Sequence, residues 1–124
     1  MNTDESQTGT TTTATRARMV RVPAVGEPQP FGDRWPQLSE LQAWVGGFVE
    51  HLVVRVMHDE MHLLVHDDAK RLGLPVNVVA SALYASQFNP PEVRAAIARD
   101  PSTAHALTIC GNAWLWHGPL PADT

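Results

Sequence analysis

The chain has 124 residues, a hydrophobic fraction of 44% and a formal net charge of −4. This length fits one ordinary domain with a real core, and the acidic balance argues against unspecific nucleic-acid binding, which needs clustered Lys and Arg. The single cysteine, Cys110, excludes an internal disulfide and a multi-cysteine zinc cage, and points to a reducing, cytoplasmic setting.

Residues 1–17 read as a disordered Thr-rich tail, and residues 18–120 as a single α+β domain. MNTDESQTGTTTTAT has no large apolar residue after Met1, so it cannot bury enough surface to offset its ordering entropy. Asp4 and Glu5 balance Arg16 and Arg18. The whole −4 therefore sits on residues 19–124, as 7 basic against 11 acidic side chains. The first twenty residues contain no apolar stretch of the kind a signal peptide uses. The longest apolar run, Leu52 to Met57, is broken by Arg55 and is too short to cross a bilayer, so no membrane association is expected.

Arg18 to Ala24 predicts a short strand stopped by Pro23. Residues 26–36, with Gly26, Pro28, Pro30, Gly32 and Pro36, predict a loop. Ser39-x-x-Gln42 has capping-box spacing, Leu41, Trp44 and Val45 make one apolar stripe, and Gly46-Gly47 ends a two-turn helix. Phe48 to Met57 and Met61 to Asp67 predict a hairpin turning at Asp59-Glu60. In that register Val56 faces Leu63 and Val54 faces Val65, so the two apolar faces coincide.

Asp67 to Gly73 is a polar connection. Asn77 caps a helix to about Ser86, with Val78, Val79, Ala82 and Leu83 as its stripe. Asn89-Pro90-Pro91-Glu92 opens another helix that stops at Asp100-Pro101. His105–Cys110 and Asn112–His117 predict two strands separated by Gly111. The expected fold is a small, mostly antiparallel sheet or partial barrel with two to three short helices on one side.

Leu41-Gln42 with Val45-Gly46-Gly47-Phe48-Val49-Glu50, then Gly73-Leu74-Pro75-Val76-Asn77, then Ile109-Cys110-Gly111-Asn112-Ala113, occur in a fixed order. Over residues 38–117 this pattern resembles an uncharacterised domain of unknown function found in actinobacteria, their phages and plasmids. The resemblance implies a small accessory protein of a phage or other mobile element. It implies no activity, because that family has no agreed one.

Several side-chain groups could carry chemistry. His58, His62 and His66 would line up on a helix, but Asp59 stands where a zincin needs Glu, and the flanking pattern is that of strands. On the hairpin, His51, Arg55, His62 and His66 share one face, with His51 diagonal to His66. This is either a solvated sheet face or a patch for an anion, a metal or a partner. Trp114 and Trp116 share a strand face and serve either as core or as a stacking and interaction surface. Trp35 and Trp44 are packing residues. Cys110 is expected to be inert.

Glu50 is the charged residue on the apolar face of its strand. It is either a carboxylate base or ligand-orienting group, or a strand residue paired with Lys70, Arg71 or another cation. With Gly47, Asn77 and Asn112 it forms the candidate ligand-binding set. Gly46-Gly47 lacks the Lys and Ser/Thr of a phosphate loop.

No catalytic residue, metal or cofactor is assigned. The first functional expectation is a non-enzymatic phage or mobile-element protein that binds a host protein, in host takeover or anti-defence. The second is a small-molecule or nucleotide-binding domain. The third is a metal-assisted hydrolase using the histidines. A homodimer through a sheet edge or the tryptophan strand fits the same surface features.

Overall fold

The computed structural model describes residues 17–121, so the expected tail falls almost wholly outside the described residues. Five strands form one open antiparallel sheet: β1 (Met19–Val22), β2 (Gln29–Gly32), β3 (Val49–Val56), β4 (Asp59–His66) and β5 (Ala113–His117). Their spatial order is β2-β1-β5-β4-β3, which leaves β2 and β3 at the edges. The helices are α1 (Leu38–Val45), α2 (Val78–Ala85), α3 (Pro90–Arg99) and the short α4 (Ser102–Ala106). The α+β expectation holds, and the sheet does not close into a barrel.

The helices do not share one side of the sheet. Leu41, Trp44 and Val45 of α1 pack with Met19, Leu64, Trp114 and Trp116 on one face. Ala80, Leu83 and Tyr84 of α2 pack with Val22, Val54, Leu63, Val65 and Leu115 on the other. The central strands demand this arrangement. Four successive residues of β5, Ala113 to Trp116, are buried, so both faces of that strand are apolar and both need a cover. The stripe expected for α2 is only partly right: Leu83 packs on the core, but Ala80 is the fully buried residue, whereas Val78 and Ala82 are exposed.

Trp114 and Trp116 are 0% and 2% exposed. They are core residues, not an interaction surface. Burial of 150–250 Å² apiece contributes roughly 4–6 kcal/mol of gross transfer free energy each. Their indole N–H groups donate to Leu41 O and Pro119 O at 3.2 and 2.9 Å. Phe31, Trp35 and Trp44 close around them edge-on, with ring centroids 5.1–6.2 Å apart.

Local signals placed several elements well. Gly46 ends α1 at φ 88°, a left-handed cap that glycine adopts without a Cβ clash. Asn89 Oδ1 accepts from Glu92 N at the start of α3. Other signals misled. The cap of α1 is Gln37, whose N–H donates to Glu40 Oε1 at 3.0 Å, two residues before the expected Ser39 box. Residues 29–32, expected as loop, form β2, since an edge strand tolerates Pro30. Residues 105–110 form no second strand. They hold the end of α4, a turn and an isolated bridge between Val76 and Cys110.

The β3–β4 hairpin exists, but its turn is Met57-His58. Val54 pairs with Met61 instead of Val65, a slide of four residues. Because four is even, every side chain keeps its expected face while its cross-strand neighbours change. Met57 closes the loop at φ 58°, a conformation that non-glycine residues seldom adopt.

Candidate functional site

The sliding of the hairpin rearranges the histidines. Val53 pairs with His62, and His51 with Leu64, so His51 and His62 become diagonal neighbours on the α1 face. His51 Nε2 lies 2.7 Å from His62 Nδ1. On the far side of that ring, His62 Nε2 lies 2.8 Å from Glu60 Oε2, and Arg55 reaches Glu60 Oε1 at 3.4 Å.

The network assigns the protons. A carboxylate accepts only, so His62 Nε2 carries the hydrogen and Nδ1 offers a lone pair to the His51 N–H. Burial and the neighbouring His62 hold the His51 pKa below the ordinary histidine value. The hydrogen bond from His62, aided by Arg55, holds the Glu60 carboxyl below its usual range. The expected four-residue surface patch is therefore only half exposed. His51 and Arg55 face solvent, whereas His62 is 3% and His66 8% exposed.

His66 sits at the other end of β4. Its Nδ1 accepts the Asp68 N–H at 2.9 Å, and its ring lies over Gly47. A Cβ on Gly47 would stand 2.5 Å from His66 Nε2. Gly47 is thus the space a buried imidazole occupies, which accounts for the second glycine of the pair. The hairpin also separates the three histidines of the helical reading: His58 is in the turn, and His66 is four residues along the strand from His62.

The candidate ligand-binding set does not converge. Asn77 is fully buried. Its amide donates to Val22 O and Gly111 O, both at 2.9 Å, and its Oδ1 accepts from Ala80 N at 3.0 Å. Asn112 accepts from Ala24 N at 2.9 Å and donates to Trp44 O at 3.3 Å. Both amides are spent on backbone groups, and neither reaches Glu50. They staple β1, the Gly111 turn and the two helices to the sheet.

Glu50 opens on a cavity of about 330 Å³ beneath α2. Leu52, Val65, Tyr84 and Ile109 give it apolar walls, and Asp67, Lys70 and Arg71 contribute to its polar lining. The cations expected for Glu50 are engaged elsewhere. Lys70 Nζ donates to His105 O at 2.6 Å at the C-terminal end of α4, and Arg71 forks onto Asp68. Among the described residues Glu50 has no ion-pair partner.

The third feature is the β3 edge. Asp67 N donates to Phe48 O, so the even-numbered residues of β3 direct their backbone groups toward β4. The N–H and C=O of Val49, His51, Val53 and Arg55 point outward. No strand covers them among the described residues. Phe48 and Met57 flank the edge at 73% and 93% exposure.

Glu60 and Tyr84 escaped the sequence reading. The expected turn, Asp59-Glu60, takes Glu60 off the strand face. Moving the turn two residues earlier would have placed Glu60-x-His62 on one strand face by simple alternation. Comparison of the chain with protein-family models, curated proteins and solved structures gives no match.

Proposed function

We propose that this chain is a non-enzymatic binding protein that engages a partner protein by adding the partner's extended segment to the edge of β3. The observation that carries this reading is the contrast between the two sheet edges. β2 is four residues long, contains Pro30 and is irregular at Met19/Val20 of its neighbour, all of which blunt an edge. β3 is eight residues long, has no proline and ends in exposed apolar side chains. Strand addition supplies main-chain hydrogen bonds for affinity and side-chain contacts for specificity. The resemblance to a mobile-element family supplies the setting: a host protein as partner, in host takeover or anti-defence.

Val53→Pro tests it. The Val53 N–H points outward, so proline removes an edge donor without breaking a bond to β4. The wild-type chain should retain a host protein from an actinobacterial lysate. The purified complex should show slowed hydrogen exchange at the amides of Val49, His51, Val53 and Arg55. Val53→Pro should lose both. Recovery of the bait alone, or equal capture by Val53→Pro, would sink the reading.

The cavity beneath α2 favours a second reading, a small-molecule or nucleotide site. Its volume is at the low end for ligand pockets, about 300–1,000 Å³, and Glu50, which has no ion-pair partner among the described residues, brings its carboxylate to it. A ligand with a cationic or hydrogen-bond-donating group suits it. A thermal-shift panel of nucleotides and metabolites, run with the wild type and Glu50→Gln, decides this. A flat profile rejects it.

A further inference from the structure

We infer that His51 and His62 form a site for a late first-row divalent metal ion, with Glu60 as the carboxylate that orients one of its ligands. His51 Nε2 and His62 Nδ1 are 2.7 Å apart, with ring centroids 4.9 Å apart and planes tilted by 45°. Two nitrogens bound at about 2.0–2.1 Å to one tetrahedral ion stand roughly 3.3 Å apart. With His62 fixed, an ion about 2.0–2.1 Å out on its Nδ1 lone pair falls inside the present N···N gap, so the His51 side chain must rotate and carry its Nε2 aside by roughly 2 Å to reach the tetrahedral position.

The two rings are suited to unequal parts. His62 is buried and fixed, and Glu60 holds the hydrogen on its Nε2, so the Nδ1 lone pair is permanently presented. Carboxylate–histidine–metal is the recurrent arrangement around protein metal sites, because the carboxylate sets the tautomer and raises ligand basicity. His51 is on the exposed edge strand and free to swing. To ligate through Nε2 it moves its hydrogen to Nδ1, so the neutral pair takes the ion without releasing a proton.

Imidazole ligands favour nickel, copper and zinc over magnesium and calcium. Among the described residues no group of three His, Cys, Asp or Glu side chains converges on a common ion. Water fills the remaining positions, which makes the site open and exchangeable. Ligation uses side chains on the sheet face, whereas strand addition uses the outward backbone of β3. The two proposals therefore stand or fall separately.

The test is calorimetric titration of the chelator-treated full chain with ZnCl₂ and NiCl₂, using MgCl₂ as control. Saturable binding of one equivalent of zinc or nickel is expected, with none of magnesium. Affinity should fall at least tenfold in His51→Ala, an exposed position where folding is retained. It should fall about 10- to 100-fold in Glu60→Gln, which keeps an acceptor for His62 but removes the charge. His58→Ala and His117→Ala should bind as the wild type does. In the unaltered protein, Ni²⁺ should broaden the NMR ring signals of His51 and His62 first, a readout that needs no variant. Absence of saturable binding, equal binding by His51→Ala, or first broadening at His58 or His117 would overturn the assignment.

Discussion

Asn77→Ala separates a structural amide from a ligand-binding one. The wild-type side chain makes three buried hydrogen bonds: two donated, to Val22 O and Gly111 O, and one accepted from Ala80 N at the start of α2. Loss of the cap costs about 1 kcal/mol. Each donated bond adds about 1 kcal/mol, more where the carbonyl stays dry and unpaired. The expected loss is about 3 kcal/mol, a large share of the roughly 5–15 kcal/mol a domain of this size holds.

At about 4–8 °C per kcal/mol, the melting temperature should fall by roughly 12–24 °C. Asn77→Asp sharpens the test. It keeps the capping oxygen and favours the helix N-terminus, but it cannot donate and it aims a buried charge at two carbonyls. It should be at least as destabilising as alanine. Urea unfolding followed by circular dichroism measures both. A loss under about 1 kcal/mol for either variant, or an aspartate variant more stable than the alanine one, would refute the reasoning.

Three further outcomes are expected. Gly47→Ala drives a Cβ to 2.5 Å from His66 Nε2 and should cost about 1–3 kcal/mol; the cost should shrink in a His66→Ala background, measured as a double-mutant cycle. Met57→Gly should stabilise the hairpin by about 1 kcal/mol in chemical denaturation, since glycine occupies the φ 58° turn position without the left-handed penalty. Acid should act through Glu40, whose carboxyl is held down at about 2 from 4.5 by the Arg34 guanidinium and the Gln37 N–H. Between those values the unfolded chain binds the proton and the folded chain does not, so this contribution is full above pH 4.5 and disappears as pH falls through 2. Thermal melts between pH 5 and pH 2 should therefore fall more steeply for the wild type than for Glu40→Gln.

The candidate site was only partly legible in the chain. The charged position on an apolar strand face, Glu50, was visible from alternation, and it does line the cavity. That it has no ion-pair partner among the described residues was not visible, because Lys70 is drawn to the end of α4 by a contact 35 residues away that no spacing rule encodes, while Arg71 takes its i,i+3 neighbour Asp68 instead. Asn77 was rightly read as a helix cap. Its two remaining bonds run to Val22 and Gly111, residues 55 and 34 positions away, so its burial could not be foreseen. The tryptophan pair was ambiguous for a related reason. Alternation on one strand says that two side chains share a face, but not whether a helix covers that face.

By itself the sequence determined what local physics controls. That includes the glycine stop of α1, the Asn77 and Asn89 caps, the existence of a hairpin and the face on which each of its side chains lies. Period-2 alternation is blind to a slide by an even number of residues, so it could not choose among registers that keep the same faces. Only the tertiary structure made that choice, through the two-residue turn at Met57-His58 and the packing of helices on both sides of the sheet. That choice put His51 against His62 and set Glu60 behind it, while the strand order left β3 at an edge that no strand covers among the described residues.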